Sequence, residues 1–147
     1  MPTRWIVTLA EQLYRDVGAT LATPLPPAWL AHHYGCRVVY ASGAFGLSGR
    51  TVTVDATQSA RDVHWQIARG FAGAVAEAVS RDAAVGHELA KELVAPYELL
   101  RAVYQDGGRL TAFKRACRYA PVSLLGETLS HFLEQAEALR PQERRRA

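Results

Sequence analysis

Residues 61–75, RDVHWQIARGFAGAV, decide how this chain is read. The stretch has the length and apolar rhythm of a buried amphipathic helix. Its middle, Arg69-Gly70-Phe71-Ala72-Gly73, is small and carries one large cation. A glycine inside a helix costs about 0.8–1.0 kcal/mol relative to alanine, so two within one turn ask for a reason. The plain reason is packing: a helix without side chains at two positions lets a neighbouring strand come close. The other reason is loss: those positions once carried something larger.

Outward from this segment the chain alternates clear signals. Leu9, Leu13 and Val17 recur at four-residue spacing, which predicts a first helix over 7–17, stopped by Gly18. A proline-punctuated linker, LATPLPP at 21–27, leads into a short helix from Ala28 to about Tyr34, with Gly35 as a left-handed cap. RVVYA at 37–41 and TVTVD at 51–55 read as strands, with Val52 and Val54 on one face. The loop between them, SGAFGLSG at 42–49, predicts an antiparallel hairpin or meander, with FGLS as an optional third strand. Helices follow over 60–80, 82–94 with Asp82 as N-cap, 96–105, 110–119 and 122–139. The fold class expected is α+β: a small antiparallel sheet of two or three strands, about six helices and a C-terminal helical pair. Residues 1–140 form one domain in this reading, and 141–147, PQERRRA, a basic flexible tail.

Composition bounds the function classes. The chain has 147 residues, an apolar fraction of 49% and a formal charge of +3, which allow a real core and leave contact with acidic partners open. Fifteen of the seventeen basic residues are arginine, only Lys91 and Lys114 being lysine. Cys36 and Cys117 lie far apart, without metal-site spacing, and read as reduced thiols of a cytoplasmic protein. The N-terminal apolar run is too short for a signal peptide, and no stretch approaches the ~18 apolar residues of a membrane span. Gly43, Gly46 and Gly49 sit in a loop that opens no helix, so they make no phosphate cradle. Ser48 and Ser123 have no evident base. Trp5 and Trp29 are expected in core or boundary packing.

The order of elements carries a family resemblance. Helix, proline linker, short helix ending in glycine, strand RVVYA, glycine-rich loop, strand TVTVD and a long helix together resemble the ImmA/IrrE family of zinc-dependent peptidases. The similarity runs over roughly residues 8–130. In that family the long helix carries HExxH, two histidines on one helix face toward a zinc ion and a glutamate that takes the proton of its water. WQIARGFAGAVA at 65–76 resembles that segment in everything but the chemistry. Arg69 stands at the first histidine, Gly70 at the glutamate and Gly73 at the second histidine. In AAVGHELAKELVAP at 83–96 the position of the third ligand falls on Ala83, or on Asp82 with a slip of one residue. A guanidinium cannot ligate a metal and repels one. The resemblance therefore implies a zincin-like domain with no metal, no cofactor and no peptidase activity. It further implies that Arg69 fills a vacated cleft beside Asp82 or Glu77, with His87 facing the same space.

Active members of the family cleave helix-turn-helix repressors in phage, mobile-element or stress circuits. The implied function is a pseudoenzyme in transcription regulation that binds a protein partner, such as a repressor, without cutting it. Two alternatives stay open. FKRACRYAPVSLLGETL at 113–129 resembles a helix-turn-helix-like end, and Arg109, Lys114, Arg115 and Arg118 make a basic surface that DNA would fit. Against this, the second helix carries Glu127, Glu134 and Glu137, the wrong charge for a groove. The other alternative is a hydrolase with a relocated metal site built from His64, His87 and Asp82 or Glu88. His32 and His33 are adjacent, about 100° apart on a helix, and make no chelating pair.

Overall fold

The computed structural model describes residues 2–80 and 82–146, and side chains up to residue 139. Seven helices and three strands are found among them: α1 Arg4–Arg15, α2 Pro27–His33, β1 Arg37–Ala41, β2 Gly46–Ser48, β3 Thr51–Asp55, α3 Ala60–Val79, α4 Ala83–Val94, α5 Tyr97–Gln105, α6 Leu110–Ala116 and α7 Val122–Arg146. The class is mixed, helices with a small sheet, as the sequence predicts. The seven helices among the described residues fall on the seven helical segments read from the sequence. The break between α3 and α4 falls where expected, with the Asp82 carboxylate accepting the Ala84 N–H at 2.9 Å. The expected tail at 141–147 falls where side chains lie outside the described residues.

The sheet departs from the expected antiparallel pairing. Its order is β1-β3-β2. β2 and β3 form the hairpin, closed by a tight turn at 49–50, with Ser48 opposite Thr51. β1 is left the other edge of β3 and pairs it in parallel, Val38 opposite Val52 and Tyr40 opposite Val54. The physical reason is the FGLS segment. Once it folds back on TVTVD it occupies one edge, and RVVYA joins the other after a crossing loop. That crossing is pinned by Asp55, whose carboxylate accepts the Gly43 N–H at 2.9 Å and both the N–H and hydroxyl of Thr57. These donors hold the carboxyl far below the usual range.

The core lies between the sheet, α3 and α4. Val52 and Val54 are wholly buried, as their alternation predicts. Tyr14 is buried too, and its hydroxyl is satisfied on both sides: it donates to Leu93 O and accepts the Leu25 N–H, each at 2.8 Å. That one side chain joins α1, the proline linker and α4. Burial lifts its pKa to about 12. α2 ends on Gly35, φ +79°, with the Gly35 N–H on His32 O and the Cys36 N–H on Ala31 O, the two bonds of a Schellman cap. Tyr97, Tyr104 and Phe113 surround Phe132 and hold α5, α6 and α7 together. Trp5 and Trp29 correct the packing expectation: each keeps about half its surface in solvent, 49% and 50%. Trp29 has already spent one face on a stack with His33, one turn along its own helix. No helix among the described residues is long and apolar enough to cross a membrane.

α3 meets the sheet at Gly70. A Cβ built there would stand 2.8 Å from one methyl of Val52 and closer still to the other. One turn on, a Cβ at Gly73 would come within 3.2 Å of Leu47 Cδ2. Gly70→Ala is therefore expected to destabilise the fold by about 1–3 kcal/mol through overpacking. Gly126→Ala, in open space on α7, is expected to stabilise it by about 0.5–1 kcal/mol. Urea unfolding of the two variants checks both signs.

Candidate functional site

The small residues of α3 and α4 face one another. Gly86 of α4 approaches so closely that its Cβ would touch the Gly73 Cα at 3.4 Å and the Ala76 Cβ at 3.6 Å. Below this contact the helices diverge around the Ser80–Asp82 break and leave a concavity of about 440 Å³. Gly73, Ala76 and Gly86 form its floor, with Glu77, Asp82 and Ala83 at its edge. Three of the positions the sequence singled out, Gly73, Asp82 and Ala83, thus come together. Gly70 does not join them: it is buried against β3.

Arg69 corrects the expectation that it fills this space. It is exposed, its guanidinium carbon sits 5.2 Å from the centre of the Phe45 ring, and it makes no ion pair with Glu77 or Asp82 among the described residues. The reason is solvation. A guanidinium leaves water only for excellent partners, while one turn away from Gly73 it finds an exposed aromatic face and keeps its hydration. His87 is exposed as well, and its ring meets Trp65 edge to face at 5.8 Å.

The relocated metal site is not assembled. His64 turns toward Tyr119, ring centres 4.8 Å apart, while Trp65, the next residue and so about 100° round the helix, meets His87. Among the described residues no three His, Cys, Asp or Glu side chains are grouped to hold a metal ion. Burial lowers the His64 pKa, and its Nδ1 is buried with no hydrogen-bond partner.

The basic surface is partly gathered. Lys114, Arg115 and Arg118 line an open concavity of about 580 Å³ with Thr111 and Arg61. Arg109 lies outside it, as the N-cap residue of α6. Arg61 is the member to which no motif or spacing pointed. It reaches from the first turn of α3 and donates to Lys114 O, Cys117 O and Ala120 O at 2.8, 2.9 and 3.0 Å. It thereby satisfies carbonyls that the end of α6 leaves open, and α6 stops at Ala116 rather than running to 119. Cys117, wholly buried beside it, has its thiol pKa pushed up to about 12, mainly by burial. Cys36 is buried and free as well.

Glu92 is a second residue missed. It is the one charged side chain among the described residues that is buried. A signal was present: it follows Leu89 by three residues, on the apolar face of α4.

No family model, no curated protein and no solved structure matches the chain.

The His64 geometry carries a pH consequence. Its folded pKa lies below the unfolded value near 6.5. Its contribution is then fully present above about pH 6.5 and is lost as pH falls through the folded pKa, because the unfolded chain takes up the proton first. His64→Phe is expected to flatten the loss of stability between about pH 7.5 and 5.5, measured by urea midpoints. An unchanged slope would remove His64 from the acid response.

Proposed function

We propose that the chain is a non-catalytic, zincin-like scaffold of the ImmA/IrrE type that grips a segment of a protein partner in the cleft between α3 and α4. The observation that supports this reading is the convergence of Gly73, Asp82 and Ala83 on one concavity. The resemblance assigns two of these positions to metal ligands and the third to their neighbour, and none of the three carries an imidazole. A water molecule there would have neither a Lewis acid nor a glutamate at residue 70 to activate it.

The cleft has features suited to holding a chain. Its floor is nearly free of side chains, so a partner's backbone or a bulky side chain can lie close. Among the described residues β2 pairs only with β3, leaving its other edge without a strand beside the same helix. An extended segment added to that edge would gain main-chain hydrogen bonds. Phe45 and Arg69 next to β2 present a flat apolar face under a cation, a pairing common in recognition surfaces. The partner class implied by the resemblance is a transcription regulator, such as a helix-turn-helix repressor.

The test is co-expression with a helix-turn-helix repressor encoded beside this chain. A stable complex is expected, with no cleavage when zinc is added. Ala83→Trp, which fills the cleft from its exposed rim, is expected to weaken the complex by about tenfold or more. Zinc-dependent cleavage, or a complex indifferent to Ala83→Trp, would contradict the reading.

A second reading, DNA binding, is favoured by one observation. Among the described residues, the concavity at Lys114, Arg115 and Arg118 has no acidic side chain in its lining. Neither ion pair found among the described residues involves these three. Three phosphate contacts would give a slope of log K against log salt of about −2.7. A random duplex titrated at several salt concentrations reads that slope, and a value near zero discards the reading.

A further inference from the structure

Between α4, α5 and α7 lies a cavity of about 280 Å³ that shares no lining residue with the cleft at Gly73. Glu92 is in its wall, with only 4% of its surface exposed. One carboxylate oxygen, Oε1, accepts the Tyr97 N–H at 2.8 Å. That bond caps α5, whose N-cap residue Pro96 offers no side-chain acceptor. The other oxygen, Oε2, takes no hydrogen bond among the described residues. Yet the one side-chain polar atom found both buried and unpartnered is His64 Nδ1. Oε2 is therefore not sealed from solvent, and the cavity that Glu92 lines is the opening beside it.

The charges that face Glu92 share its sign. Burial raises its pKa, against the Tyr97 N–H, and Glu11 of α1, Glu98 of α5 and Glu88 of α4 raise it further. Lys91 lines the cavity, but its ammonium reaches Glu88 at 3.8 Å on the half-exposed side. Glu127 of α7 adds another carboxylate to the lining. Leu100 and Leu124 add apolar surface to the wall, and Thr128 and His131 of α7 complete it beside Glu127.

We propose that this cavity binds a small organic cation, an ammonium or guanidinium group on a short apolar body, with Glu92 Oε2 as its anchoring acceptor. A buried carboxylate with a free oxygen, among like charges, is stabilised by a cation that also brings hydrogen-bond donors. The grouping does not suit a metal ion, since among the described residues no three ligating side chains come together. The apolar wall takes the body of an organic cation instead. The volume lies just below the ~300–1,000 Å³ of drug-sized pockets, which fits a ligand of few atoms. This site is independent of the α3–α4 cleft and stands or falls apart from it.

Two sources share this chemistry: a free amine or guanidine, and the arginine or lysine side chain of another protein. Calorimetric titration of the full chain with agmatine and with N-acetyl-arginine amide separates them. Saturable one-to-one binding of agmatine alone assigns a free ligand, and binding of the blocked arginine assigns a side chain. Either outcome supports the site. Glu92→Gln keeps a carbonyl oxygen for the Tyr97 N–H and so preserves the α5 cap, but removes the charge. It is expected to lower affinity by about tenfold or more while circular dichroism stays unchanged. Thr128→Arg, at a half-buried lining position, brings a guanidinium of its own and is expected to abolish binding of both probes. No saturable binding of either probe at roughly millimolar concentration, or equal binding by Glu92→Gln, overturns the proposal.

Discussion

The close approach of α3 to β3 at Gly70 and Val52 sets the geometry of the rest of the molecule. With no Cβ at residue 70, the helix axis settles against the valine methyls. Val52 and Val54 are then sealed from water, and Ile67 and Phe71 join the same core. Gly73 and Gly86 repeat the device between α3 and α4, which pack at the distance of bare backbone. Each glycine costs helix propensity. The interior packing gained at the contact offsets that cost, since an interior at close-packed density transmits even one methyl's worth of misfit.

The same economy of side chains shapes the surface. Where α3 and α4 part, small residues leave a floor without donors, acceptors or ligands, and the acids stand at the rim. Arg69 is kept out of this space by the cost of stripping water from a guanidinium, since the floor offers it no carboxylate and the acids stand only at the rim. Its resting place over Phe45 turns the edge of β2 into a mixed cationic and aromatic surface. At the other end of α3, Arg61 shows what a cation does when carbonyls are on offer: it spends three hydrogen bonds on the end of α6 and becomes part of the frame.

Much of this was legible in the residues. The alternation of Thr51–Asp55 put Val52 and Val54 inward, Gly35 marked the end of α2, and Asp82 marked the start of α4. The packing explanation of Gly70 could be written from sequence alone. What could not be read was anything that depends on which edge a strand joins. A Gly-rich loop between two strands reads as a hairpin, yet the three residues Gly46–Ser48 claimed that partner and left β1 parallel. The direction of Arg69 turned on the exposed ring of Phe45, twenty-four residues away in the chain, and Arg61 depended on carbonyls more than fifty residues off. Glu92 stood in plain view on an apolar face. Its meaning came only with the cavity, because a carboxylate in a helix is ordinary until its surroundings are known.

The central claim is that residue 70 lacks a side chain because Val52 occupies the space. A double-mutant cycle between Gly70→Ala and Val52→Ala tests it directly, since each change alone disturbs the contact and the pair restores room. Unfolding free energies of the four proteins should show a favourable coupling of about 1–3 kcal/mol, with Gly70→Ala losing most of its cost once residue 52 is trimmed. Costs that simply add would mean that the glycine serves something other than this contact.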